Sequence, residues 1–134
     1  MQKLLFILIA VVVNFAVQYY VHSAGKISDS GSILGWHYNS ALIAATIQTL
    51  KYVWFFILVN IAFTYAFKIG ESSFSSFLVT MVIWIAAAPV ATLLYNVLIL
   101  KEPLNWLHGV GILLVFMGSI SIAANQQLID LIKK

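Results

Sequence analysis

Four stretches of this chain, residues 4–20, 40–67, 74–100 and 104–124, are apolar over roughly the 20 residues that a helix needs to cross a hydrocarbon core about 30 Å thick. No other feature limits the fold as strongly. Hydrocarbon offers backbone N–H and C=O groups no water to bond, so each stretch must satisfy its own backbone, which predicts helices and excludes open sheets. Composition agrees, with 63% of residues hydrophobic and only 8% charged. The expectation is an all-α integral membrane protein, a single four-helix transmembrane domain over residues 1–134. Four helices in 134 residues leave no room for a soluble domain or a catalytic cleft of ordinary size. Residues 1–25 also share features with a secretory signal peptide, Lys3 preceding an apolar run that ends in Ser23, Ala24 and Gly25. His22 falls three residues before a cut at Ala24, where a small side chain is wanted, so the expectation is a retained first helix.

The connections follow from the same map. Residues 21–39 form the longest loop, rich in turn formers, with Trp36 and Tyr38 at the positions of interface anchors. Residues 68–73 and 101–103 are read as tight loops. Four spans put both termini on one side with Lys3, Lys68, Lys133 and Lys134, against Lys26, Lys51 and Lys101 on the other. Four lysines against three favour cytoplasmic termini only slightly and suit insertion in either orientation. Net charge is +3 and every basic residue is a lysine, most at helix ends, so no nucleic-acid surface is expected. Lys133 and Lys134 follow the amphipathic run of Leu128, Ile129, Leu131 and Ile132, which suits either an anionic membrane surface or a solvated terminus.

Inside the apolar stretches the polar residues are neutral and fall at helical spacing. Asn14 and Gln18, Asn60 and Thr64, and Thr92 and Asn96 are each four apart and share a helix face. Polar groups are costly in hydrocarbon unless partnered, and they tend to face a bundle interior or a wet cavity. Gln18, Lys51 and Asn96 trace to the loop side opposite the termini, where they would make a cationic, hydrogen-bonding vestibule for an anionic or sugar-like headgroup. The alternative is that the amides hold helices together. Lys51 must snorkel if the helix starts near Ser40, and is an ordinary interface lysine if the membrane begins at Tyr52. Trp84, five residues before Pro89, either lines a cavity or packs in the core. Candidate substrate-binding residues are therefore Asn14, Gln18, Lys51, Asn60, Trp84 and Asn96. With no cysteine, no histidine or acidic cluster at ligand spacing and no nucleophile–base arrangement, neither a metal, a cofactor nor an enzymatic activity is expected.

The last third carries the most specific pattern. Pro89 lies thirteen residues before Glu102 in Leu-Lys-Glu-Pro-Leu, followed by Gly111 and Gly118. Pro89 removes a backbone donor and opposes the carbonyl four residues back, which makes it a hinge or a simple bend. Gly111 and Gly118 lie two turns apart on one face and permit close helix approach, in a dimer or within one chain. Over residues 52–123 the chain resembles the drug/metabolite transporter superfamily, whose four-helix members are the small multidrug resistance proteins. The resemblance implies a small multidrug resistance-like bundle, alternating access in a homodimer, and a bacterial inner membrane. Proton-coupled relatives carry a membrane-embedded Glu in the first helix, where this chain has Asn14. Its only acids, Asp29, Glu71, Glu102 and Asp130, are expected in loops or tails. That argues against cation-for-proton exchange and toward flippase-like relatives acting on lipid-linked sugars or other small molecules. A non-transporting subunit bound to a larger membrane protein is the other function class.

Overall fold

The computed structural model describes the backbone over residues 1–132 and the side chains over residues 1–122. The chain is an integral membrane protein, mostly helical. Three of its helices are long and apolar enough to cross a membrane, Gln2–Ala24, Val53–Phe74 and Phe77–Leu100. In order the elements are α1 (Gln2–Ala24), β1 (Ser30–Ile33), β2 (Trp36–Asn39), α2 (Ala41–Lys51), α3 (Val53–Phe74), α4 (Phe77–Tyr95) continued by a π-helical turn (Asn96–Leu100), and α5 (Trp106–Ile132). The described apolar part of α5, Trp106–Ile122, is shorter than the three spans. Lys133 and Lys134 and the side chains of the amphipathic run before them lie outside the described residues.

Two boundaries differ from the sequence expectation. Residues 40–67, expected as one helix, are two: α2 ends at Lys51, and Tyr52 leaves helical geometry at φ −103° and ψ 15° before α3 begins. The break falls where the aromatic rings of Tyr20, Tyr52 and Phe56 meet, with Tyr20 4.7 Å from Phe56 and 5.5 Å from Tyr52 between centroids. Residues 68–73, expected as a loop, are instead the end of α3. Ile69 and Gly70 are buried there while Lys68, Glu71 and Ser72 face outward, so burial on one side sustains a helix that polarity alone would end. Glu71, expected in a loop, therefore sits one turn from the end of a membrane helix. The turn to α4 is only Ser75, in the left-handed region at φ 53°, and Ser76, whose side chain caps α4 by accepting from the Val79 N–H.

The core is small and sits toward the end of the spans that carries the amino terminus. Phe6 of α1 is fully buried between Ala66, Ile69 and Gly70 of α3 and Thr80 of α4. Around it Phe63, Phe67, Phe74 and Trp84 stack at centroid separations of 4.4–6.2 Å, within the range in which edge-to-face aromatic pairs attract. The rest of the α1–α4 seam is built from small side chains, Ala10 on one helix and Ala86, Ala87 and Ala91 on the other, all buried. In lipid, where apolar surface gains nothing from contact with apolar surface, such close backbone approach is what drives helices together.

Gly70 is the glycine this packing requires. A β-carbon built there would lie 2.5 Å from Thr80 Cγ2 and 2.9 Å from Phe6 Cε2. Gly111 and Gly118, expected to form a seam, are exposed on α5, and a β-carbon on either meets nothing within 4 Å. Within the single chain α5 packs against α4 without using its glycines. Gly70→Ala should destabilise the protein by about 1–3 kcal/mol through overpacking, read as an earlier loss of the monodisperse peak on heating in mild detergent. Thr80→Ser in the same chain, which removes the clashing methyl but leaves the contact with the Phe6 ring, should restore part of the loss, whereas Gly118→Ala should leave the melting point of the isolated chain unchanged.

Candidate functional site

The polar residues of the spans separate into an inner set with partners and an outer set exposed on α3. Among the described residues no buried side-chain nitrogen or oxygen lacks a hydrogen-bond partner. Asn14, half-buried on α1, donates from Nδ2 to the Ala10 carbonyl at 2.8 Å, one turn back on its own helix. Thr80 and Thr92 of α4 likewise bond the carbonyls of Ser76 and Ala88 at 2.9 Å. The two hydroxyls are satisfied by the helix that carries them, and Asn14 places one of its N–H groups in the same way.

The loop-side end holds a seam that the sequence did not reveal. His22 Nδ1 and the Tyr95 hydroxyl share a hydrogen bond of 2.7 Å across 73 residues, and Tyr95 also packs edge-on against Phe15 at 5.5 Å. Gln48 of α2 donates to Ser23 Oγ at 3.3 Å, and Tyr20 meets Thr49 at 3.4 Å. No sequence spacing links these partners. The only signal was that His22 and Tyr95 each stand near the same end of an apolar stretch. Phe15, His22 and Tyr95 fix the relative depth of α1 and α4, which puts Gln18 and Asn96, both half-buried, near one another in height.

Asn96 opens the π-helical turn, and its carbonyl accepts from the N–H groups of both Lys101 and Glu102. Lys101 takes the left-handed conformation at φ 55°, which stops the helix, and residues 101–105 stay outside any helix. The backbone departs from α geometry here and not at Pro89, which sits half-buried in an unbroken α4. Lys51 is exposed at the α2–α3 break, an interface lysine of the ordinary kind. Trp84 lies in the aromatic core, 4.9 Å from Phe63 and 5.2 Å from Phe67, and is a packing residue of the α3–α4 contact.

The remaining candidate, Asn60, belongs to the outer set. Asn60, Thr64, Lys68 and Glu71 are all exposed and recur every three or four residues, so they form one polar stripe along the outward face of α3. Asn60 Nδ2 reaches the Phe56 carbonyl at 2.8 Å, which leaves its Oδ1 and second N–H facing out. Two shallow hollows follow the stripe. One of about 740 Å³ is lined by Thr64, Lys68, Glu71 and Met81, the other of about 430 Å³ by Asn60, Thr64, Tyr65 and Lys68. A third cleft, about 500 Å³ between α1, α4 and α5, is lined by Ile7, Val82, Ala87 and Phe116 and is almost wholly apolar. The six candidates therefore do not converge on one vestibule: Gln18 and Asn96 share a depth near the loop-side end, and Asn60 faces away from the helix bundle.

No protein-family model, curated protein or solved structure matches this chain. The fold and the site together define a helical multi-pass membrane protein with a dry interior and a polar outer face on one span. Removing the Tyr95 hydroxyl tests the inner set. Tyr95→Phe should cost about 0.5–1.5 kcal/mol in thermal unfolding, and a double-mutant cycle with His22→Phe should show that the two losses are not additive.

Proposed function

We propose that this chain is a transport subunit of the drug/metabolite transporter type, seated in a bacterial inner membrane. In this reading α5 is a fourth span completing a small multidrug resistance-like bundle, and two copies enclose a pathway that works by alternating access. The observation that carries it is the stripe of Asn60, Thr64, Lys68 and Glu71 on the exposed face of α3. A lone chain would hold Asn60 and Thr64 against hydrocarbon in the middle of a 22-residue span. Amides and hydroxyls at that depth gain about 0.6–2 kcal/mol each from hydrogen bonds across helices, so the face favours a second helix or a wet cavity over lipid. A second copy supplies both, with the stripes of the two chains bounding a shared polar path.

The cargo follows from what the path holds. Its only carboxylate, Glu71, stands one turn from the membrane surface, because Ser73 bonds Gln2 and Phe74 lies under the Lys3 ammonium at that end. The middle of the path offers amide and hydroxyl groups with Lys68 beyond them, a set that suits a sugar-bearing or anionic lipid-linked molecule better than an organic cation.

A second reading, a non-transporting subunit of a larger membrane protein, draws on α5, whose glycine-bearing face has open space where a foreign helix would fit. Thr64→Cys, in a chain with no cysteine of its own, separates the two. Oxidation in native membranes should give a disulfide-linked homodimer in high yield, whereas Gly118→Cys should not cross-link the same pair. A chain that stays monomeric, or that cross-links only to an unrelated protein, would rule out the transport pair and favour the accessory role.

A further inference from the structure

Between α1 and α2 the chain builds a two-stranded antiparallel hairpin in which Ile33 pairs with Trp36 and Ser30 with Asn39. The tip is Leu34–Gly35, with φ of 51° and 83°. A two-residue turn with both central residues at positive φ matches the twist of the strands, and Asn, Asp or Gly are the residues that tolerate it. Leucine does not. Its branched side chain is strained in the left-handed region and makes no compensating contact within the chain, being 103% exposed. A leucine that is both strained and bare needs a reason outside the chain.

The hairpin supplies the direction. Its base is closed beside the start of α2, where the Ser40 N–H donates to the Asp29 carbonyl. Its last pair, Ile33 and Trp36, lines a groove of about 350 Å³ together with Leu42, Thr46 and Ile47, so the hairpin folds back along α2. The far end of α2 meets the last turn of α1, through Gln48 and Ser23, and then enters the α3 span. The tip therefore points along α2 toward the end that joins the α3 span. The hairpin is also two-sided. Ser30, Ser32, His37 and Asn39 form one exposed polar face, and Ile33 and Trp36 lie on the other.

We propose that the Leu34 tip inserts into the headgroup–acyl boundary of the leaflet on this side, with Trp36 and Leu42 beside it, and anchors the hairpin and α2 to the membrane surface. The occupant of this apolar surface is lipid because exposed apolar side chains recur from Leu42 through Leu50 and Val53 to Trp54 and Ile57 of the α3 span. A tryptophan next to bare aliphatic side chains, backed by a polar face, is the composition that partitions to the interface. Strain at the tip is kept because the residues that would relieve it, Asn, Asp or Gly, have no apolar side chain to place in lipid.

Single cysteines at Leu34 and at Ser32, on the polar face, test this in nanodiscs of phosphatidylethanolamine and phosphatidylglycerol, where both membrane surfaces are open to reagent. An environment-sensitive dye at position 34 should emit to the blue of the same dye at 32 and be quenched several-fold more by lipids carrying a nitroxide near the headgroup. The unlabelled Leu34→Cys thiol should react several-fold more slowly with a charged maleimide than the Ser32→Cys thiol, a comparison free of any dye. Equal quenching and equal rates would overturn the anchor. Protection of position 34 in native membranes that vanishes in nanodiscs would also overturn it, and would give the tip to a protein partner.

Discussion

The contact on which the other packing depends is the insertion of the Phe6 ring between α3 and α4. It is possible only because Gly70 has no side chain and Thr80 turns its methyl into the space that results. Three helices meet at that point, two of them from one helical hairpin, and the aromatic cluster of Phe63, Phe67, Phe74 and Trp84 closes around it. A membrane protein cannot draw on water to force its helices together, so a close fit at one level has to do what a broad hydrophobic core does in a soluble domain. The buried alanines of α4 then let α1 follow the same line toward the opposite surface, where the His22–Tyr95 bond fixes its depth.

Length and apolarity made the spans legible in the sequence, because the thickness of the bilayer leaves few alternatives. Their ends were less so. The end of α3 was hidden because Lys68, Glu71, Ser72 and Ser73 read as a surface loop, while the burial of Ile69 and Gly70 that keeps them helical depends on Phe6, some sixty residues away. The break at Tyr52 was masked by apolar residues on both sides of it. The hairpin was invisible for another reason: its turn carries Leu34 where a turn signal would be Asn or Asp. Helical spacing correctly showed which polar residues share a face, as with Asn60 and Thr64. It carried no information on whether that face looks inward, since in a membrane both the interior and the exterior of a bundle are apolar. The glycines of α5 stand exposed, where only a second chain could use them, while inside the bundle it is Gly70 that the helix packing demands.

On α3 the distribution of polarity is that of a soluble protein, although the span is long and apolar enough to lie in a membrane. Inner amides and hydroxyls bond the carbonyls of their own helices, as Asn14, Thr80 and Thr92 do. Unspent hydrogen-bonding capacity lies on the outward face of α3. A bundle arranged this way is stable as a unit yet incomplete as a device. Its chemistry begins at the boundary with whatever stands next to it.

The connection between α3 and α4 limits how such a device can move. Only Ser75 and Ser76 separate the two helices, one in a left-handed conformation and the other committed as a cap. With Trp84 wedged among the α3 rings as well, α3 and α4 are joined into a single stiff plank, unable to slide past one another without breaking the turn. α5 is tied to the plank differently, through the π-helical turn and residues 101–105, which belong to no helix. Any rocking of this protein in the membrane must therefore be carried by α5, with α1 locked to the plank by Phe6 and His22 and the polar stripe riding unchanged on it.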